Sequence, residues 1–256
     1  LGFAAYKAYS KLEQTVNVCS VDSRLNMGAY SSEVNSGNYI NHIILHEPNY
    51  LFNYSTIGYQ TYLVPPSEVA LMDELYFDYH RLGEIQADIK KTEPLMRYAD
   101  LVSININSVR FSELGLDRED ASPNGLYGEQ ICQIMRYAGI CDKVSCAGIF
   151  DYNPIFNESK FGAKLVAQMI WCFFEGASER KKDFPIGTKA NYKKYLVPIE
   201  GTDHQVNFYK SDKSDRWWME VPYPPDKRIK FDRHHMIPCS YEDYQKASKG
   251  IVPDLW

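Results

Sequence analysis

The sequence predicts an α/β fold: three layers, α/β/α, around a mostly parallel sheet, with a C-terminal β and aromatic-rich extension. Three observations carry that expectation. Apolar, β-favouring runs at 16–21, 101–106 and 143–150 alternate with segments of helical periodicity, the pattern of a parallel sheet with helices on both faces. The clearest helical segment, 161–174, places Leu165, Val166, Met169, Ile170 and Phe173 at spacings of three and four. After Arg180-Lys-Lys-Asp183 that alternation stops, and prolines and aromatics dominate. The expected domains are therefore an α/β core over 1–180 and an extension over 181–256 packed on it.

Taken in order, 1–12 reads as an amphipathic helix with Phe3, Ala4, Tyr6 and Tyr9 among small and charged residues. The strand at 16–21 runs straight into Asp22-Ser-Arg-Leu-Asn26. Residues 35–38 are turn-rich, 39–46 suit a short helix, and 49–62 are β-like. After Pro65-Pro66, Ser67 is the expected N-cap of a helix rich in Glu68, Asp73 and Glu74. A short strand over 79–84 and a charged helix over 87–98 lead to the strand Leu101-Val-Ser-Ile-Asn-Ile-Asn107. Its asparagines, Asn105 and Asn107, are two apart and are expected on one face at the carboxyl end of the strand, where open parallel sheets bind ligands. Residues 111–124 read as a loop, and 125–138 as a helix with Ile131, Ile134 and Met135 on one face. In the tail, 195–199, 205–209 and 217–221 read as short antiparallel strands.

Composition narrows the setting. The 256 residues suffice for one large α/β domain or two small ones. No apolar run is long enough to span a membrane, and no signal-peptide pattern opens the chain. A net charge of −5 gives no electrostatic reason to expect nucleic acid or an anionic membrane. Cys19, Cys132, Cys141, Cys146, Cys172 and Cys239 include no Cys-x-x-Cys pair and read as reduced thiols of a cytoplasmic protein. In that compartment the sequons at Asn53 and Asn157 carry no weight. The abundant tyrosines suit packed or subunit-contacting surfaces.

Four segments, in order, support a family resemblance. Val21-Asp-Ser-Arg-Leu-Asn26 resembles a strand end of the form Asp-Ala-His-x-Asp, and Ser103-Ile-Asn-Ile-Asn107 one of the form Ser-x-Asp-x-Asp. Gly125-Leu-Tyr-Gly-Glu129 resembles a segment carrying a substrate-side glutamate, and Phe150-Asp-Tyr-Asn-Pro154 a Glu-Val-Asn-Pro strand end. This is the layout of the ureohydrolases: arginase, agmatinase and formimidoylglutamase. The resemblance runs from residue 1 to about 176. The tail segment 214–222 is similar to a formimidoylglutamase-like branch of the Bacteroidetes. The first residues, Leu1-Gly-Phe-Ala-Ala-Tyr6, resemble the helix after that family's Gly-Gly-x-His segment. The resemblance thus implies an arginase-like core lacking its N-terminal strands, with a companion chain or upstream piece covering the exposed edge. A trimer or hexamer is implied by the same analogy.

Family chemistry is hydrolysis of a guanidino or formimino group by hydroxide held between two manganese ions. Such ions need anionic oxygen ligands to offset their charge and acidify the bound water. By resemblance, Asp22 retains one ligand position. Arg24 replaces a histidine, and Asn26, Asn105 and Asn107 replace aspartates. An amide oxygen can coordinate a hard ion, but an arginine has no lone pair to offer. Arg24 is expected to fill the volume of one metal and pair with Asp22. The expected protein is a ureohydrolase relative without a working metal site, and so without a cofactor, acting as a scaffold, binding or regulatory subunit. The alternative is an active hydrolase of a guanidino or formimino C–N bond with an atypical manganese site. A guanidino or formimino amino acid remains a possible ligand, with Glu129 as a substrate-binding residue. Beside these stand plainer assignments. Asn105 and Asn107 would simply start a turn, Glu129 would favour a helix dipole, His42 would match a proton-shuttle position by coincidence, and His234-His235 would form a solvated basic surface. The Trp217-Trp218 pair reads as core or subunit contact.

Overall fold

The computed structural model describes residues 2–28, 31, 33–115, 122–156, 160–198, 205–220 and 235–251. Expectations that fall on Leu1, Asn157, Ile199, Val221, Pro222, Arg233 and His234 lie outside the described residues. The chain divides into two compact units, Leu1–Ser178 and Glu179–Trp256.

In the first unit five strands form a sheet in the order β3-β2-β1-β4-β5. They are β1 Val16–Val21, β2 Leu51–Tyr59, β3 Asp78–Arg81, β4 Leu101–Asn105 and β5 Cys146–Phe150. Every pairing is parallel. All residues of β1 and β4 are buried, which is why these segments read as near-continuous apolar runs. Among the described residues the sheet is accompanied by the α-helices α1 Gly2–Lys11, α2 Tyr39–Ile44, α3 Pro66–Glu74, α4 Leu82–Ala87, α5 Thr92–Tyr98, α6 Phe111–Leu114, α7 Gly128–Ile140 and α8 Phe161–Ser178.

Strand parity divides the interior into two cores. Cys19, Val21, Val102 and Ile104 pack with residues of α4, α5, α7 and α8. Val16, Val18 and Leu101 pack with Tyr6, Ile40, Ile43 and Met72 of α1, α2 and α3. Ser20 shares the second face, where its hydroxyl meets the Tyr54 hydroxyl at 2.7 Å. The same period of two carries Asp22 and Asn105 toward that side, just past the paired residues Val21 and Ile104. At the opposite end of the sheet, a buried Lys143–Asp100 ion pair at 3.3 Å joins the entries to β4 and β5. The Asp100 carboxylate also accepts the Asn17 backbone N–H, which ties in β1.

Several local expectations are corrected by neighbouring residues. Ser67 is not the N-cap of α3. Pro65 takes that place in an extended conformation and Pro66 occupies the first turn, where its missing N–H costs nothing. The strand expected over 79–84 stops at Arg81, because Leu82 and Ile85 are buried at helical spacing on α4. The helix expected over 87–98 begins only at Thr92. The Asp88 side chain accepts the Lys90 N–H at 3.1 Å and diverts the chain into a 3₁₀ turn over Ile89–Lys91. Part of the expected loop after Arg110 is the short helix α6.

In the second unit, β6 Tyr192–Pro198, β7 Gln205–Ser211, β8 Trp217–Glu220 and β9 Met236–Cys239 form an antiparallel sheet in that order. A helix over Tyr241–Ala247 follows, capped by Ser240 and Asp243. Strand β9 contains Pro238 and lies at the sheet edge, where a missing N–H is tolerated. Trp217 stacks on Tyr244 with ring centres 4.7 Å apart, and Trp218 meets Tyr192 edge-on from the other face. Both tryptophans are core residues of this unit. His235 is not part of a solvated basic surface: it is buried against Phe184, with ring centres 5.3 Å apart.

Helices α7 and α8 lie so close that a Cβ on Gly139 would sit 2.1 Å from the Phe173 carbonyl oxygen. Gly139→Ala should therefore destabilise the protein by roughly 2–4 kcal/mol in urea denaturation, because overpacking two backbones forces them apart. Gly83→Ala in α4, where the added carbon meets open space, should be neutral or stabilising by about 0.5–1 kcal/mol.

Candidate functional site

A cavity of about 260 Å³ opens at the carboxyl ends of β1, β4 and β5. The strands bring Asp22, Ser103, Asn105, Phe150 and Asp151 to its wall, and Gly2, Tyr39 and residues 34–36 complete the lining. The sheet register explains the grouping. Asn105 pairs with Phe150, so Asp151 emerges beside Asn105 one residue later. Asp151 and Asn26 both adopt the left-handed backbone conformation, with φ of 62° and 57°. That conformation is uncommon for side-chain-bearing residues, and asparagine and aspartate tolerate it best.

The Asn105 amide is committed at both ends. Its Oδ1 accepts the Asn107 backbone N–H at 2.9 Å, and its Nδ2 donates to Asp151 Oδ2 at 2.7 Å. A backbone N–H can only donate, so the amide oxygen must face Asn107 and the NH2 group must face the cavity. Asn26 has the same polarity, with Nδ2 donating to Asp22 Oδ2 at 2.7 Å, while the other Asp22 oxygen accepts the Arg24 backbone N–H at 3.1 Å.

Asp22 is buried, and burial pushes its carboxyl from the ordinary 3.8 up to about 6. The bonds from Asn26 and the Arg24 backbone oppose that rise, and the negative charge of Asp151 adds to it. Tyr39 contributes a phenol that lines the cavity beside Ser103. Its pKa lies well above the ordinary tyrosine value, first through burial and then through the charges of Asp22 and Asp151. The cavity therefore presents two carboxyl groups, amide N–H donors and a neutral phenol. Among the described residues, no three His, Cys, Asp or Glu side chains come together as a metal-binding group.

The residues singled out from sequence do not all meet. Asp22, Asn26 and Asn105 do. Asn107 does not share a strand face with Asn105. The strand ends at Asn105, and Asn107 lies in a 3₁₀ turn over Ile106–Ser108 that the Asn105 side chain starts. Arg24 does not fill a metal position or pair with Asp22. Its side chain is exposed, and its guanidinium donates to the Leu63 carbonyl at 3.5 Å. Glu129 is exposed in the first turn of α7 and is not among the cavity-lining residues. His42 is buried against Phe3, also outside the lining. Sequence reasoning missed Asp151, Tyr39 and Ser103 as site residues. The first and last lay inside quoted motifs, and strand parity pointed to Ser103, whereas nothing local marked Tyr39.

No family model and no curated protein matches this chain. Solved structures do. Trypanosoma cruzi formiminoglutamase with Mn2+2 superposes with a TM-score of 0.63 at 17% identity, over 70% of this chain and 62% of that one. Formimidoylglutamase from Bacillus subtilis gives 0.61 at 15% identity, over 70% and 58%. Entamoeba histolytica arginase in complex with L-ornithine gives 0.57 at 17% identity, over 66% and 64%. The first unit thus has the arginase and formimidoylglutamase fold, and the chain spans less than two thirds of the length of these structures. Among the described residues no helix is long and apolar enough to cross a membrane.

The Asp22 environment has a pH signature. Its folded pKa of about 6 lies above the ordinary 3.8, so its contribution to stability is complete below about 3.8 and is lost as pH rises through about 6. Between pH 3.5 and pH 7.5 the wild type should lose roughly 2–3 kcal/mol relative to Asp22→Asn, measured as urea-unfolding free energies. A constant difference across that range would contradict the assignment.

Proposed function

We propose that this chain is a ureohydrolase-family protein in which hydrogen bonds have replaced a binuclear manganese centre. In this role it is a non-catalytic scaffold, binding or regulatory subunit of a cytoplasmic oligomer. The observation that carries the reading is the orientation of Asn105: its one metal-competent atom accepts a backbone N–H, and its NH2 group faces Asp151. Asn26 likewise turns its donor toward Asp22. Two divalent ions brought into this cavity would meet N–H groups where carboxylate oxygens are needed. The residues present do not fit a binuclear centre.

The cavity itself favours a binding role over a purely structural one. Asp22 and Asp151 are hydrogen-bond acceptors facing a common space, with a phenol and a serine hydroxyl beside them. A small ligand rich in N–H donors, such as a guanidino or formimino amino acid, complements that wall. A partner polypeptide would find its natural place at the β5 edge of the sheet, where all five residues are partly exposed.

Manganese content and turnover test this proposal together. Purified chain equilibrated with manganese and then desalted should retain far less than one ion per molecule. It should release neither urea nor formamide from arginine, agmatine or formiminoglutamate. About two tightly held ions per chain with manganese-dependent product release would overturn the proposal. Ligand binding without turnover, seen as a raised melting temperature with one of those compounds, would select the binding role.

A further inference from the structure

Cys132 on α7 and Cys172 on α8 are both free, both partly exposed, and both at the border of the same apolar core. Cys172 lies close enough to Cys132 across the two helices to disfavour its ionisation. We propose that Cys132 and Cys172 form an oxidation site, closing to a disulfide that staples α7 to α8 when the protein meets a peroxide.

The helix pairing supports the geometry independently. One turn beyond each cysteine, Arg136 Nε meets Glu175 Oε2 at 2.6 Å across the same seam. Farther along, Gly139 and Gly176 bring the two backbones into contact. A Cβ on Gly176 would lie 2.4 Å from the Arg136 carbonyl oxygen. The two helices are thus packed backbone against backbone along the seam that both cysteines border. Cys19, Cys141 and Cys239 are buried, and Cys146 belongs to the core on the other face of the sheet.

The chemistry balances with peroxide as the oxidant. One thiol is oxidised by hydrogen peroxide to a sulfenic acid with release of water. The second thiol then attacks that sulfur, forming the S–S bond and releasing a second water. Burial, and secondarily the Cys172 contact, push the Cys132 thiol up to about 12, so it is protonated at neutral pH and the closure accelerates as pH rises.

Mild hydrogen peroxide treatment of the chain at pH 8, with intact-mass and non-reducing peptide analysis, tests the proposal. The expected result is a loss of about 2 Da and a cross-linked peptide joining Cys132 to Cys172, both reversed by dithiothreitol. The melting temperature should rise by about 5 °C. Cys132→Ser and Cys172→Ser, each independently, should abolish the cross-link and the rise. The proposal is overturned if the pair gains oxygens without cross-linking, if another cysteine provides the partner, or if the mass does not change.

Discussion

The side-chain amide of Asn105 joins the architecture of the sheet to the chemistry of its cavity. Its oxygen stops β4 by accepting the Asn107 N–H, and its nitrogen reaches across to the residue that follows β5. Because β1, β4 and β5 are adjacent and parallel, their carboxyl ends converge, and Asp22, Asn105 and Asp151 arrive side by side. An aspartate at 105 could still accept from Asn107, but it would place a third negative group against Asp22 and Asp151. An amide resolves that conflict without a cation.

Charge compensation accounts for the remaining features of the site. A buried carboxylate is costly unless it is paired or hydrogen-bonded. Asp22 receives only hydrogen bonds, and its carboxyl remains elevated to about 6. Among the described residues no arginine side chain pairs with it: Arg24 turns to the surface, and its backbone N–H serves Asp22. The left-handed backbones at Asn26 and Asp151 aim a donor and an acceptor into this arrangement. The cavity is therefore a wall of hydrogen-bonding groups, mildly acidic and pH-sensitive, in a fold shared with the T. cruzi formiminoglutamase.

Much of the architecture was legible in the sequence because it depends on long-range periodicity. The burial of β1 and β4 on both faces makes them continuous apolar runs, and α8 carries its helical repeat through to Ser178. Element boundaries were less legible, because short side-chain contacts decide them. Asp88 breaks one expected helix, Asn105 ends a strand two residues early, and Pro65 displaces Ser67 from the cap. At the site, Asp22, Asn26 and Asn105 were visible as a set, since motif order places them, whereas parity misplaced Asn107, which lies in the 3₁₀ turn beyond the strand. Arg24 was misread because spacing gives a side chain's position but not its direction. Asp151 reaches the cavity through the pairing of β4 with β5, although it lay inside a motif, and Tyr39 arrives on α2 with no local pattern to mark it.

The central claim is that amide N–H groups occupy the place of metal ligands around Asp22 and Asp151. Crystals soaked in manganese, with anomalous difference maps collected at the manganese edge, address it directly. The account predicts no anomalous peak in the cavity, with Asn105 Nδ2 still about 2.7 Å from Asp151. A peak within about 2.2 Å of both Asp22 and a flipped Asn105 oxygen would contradict it.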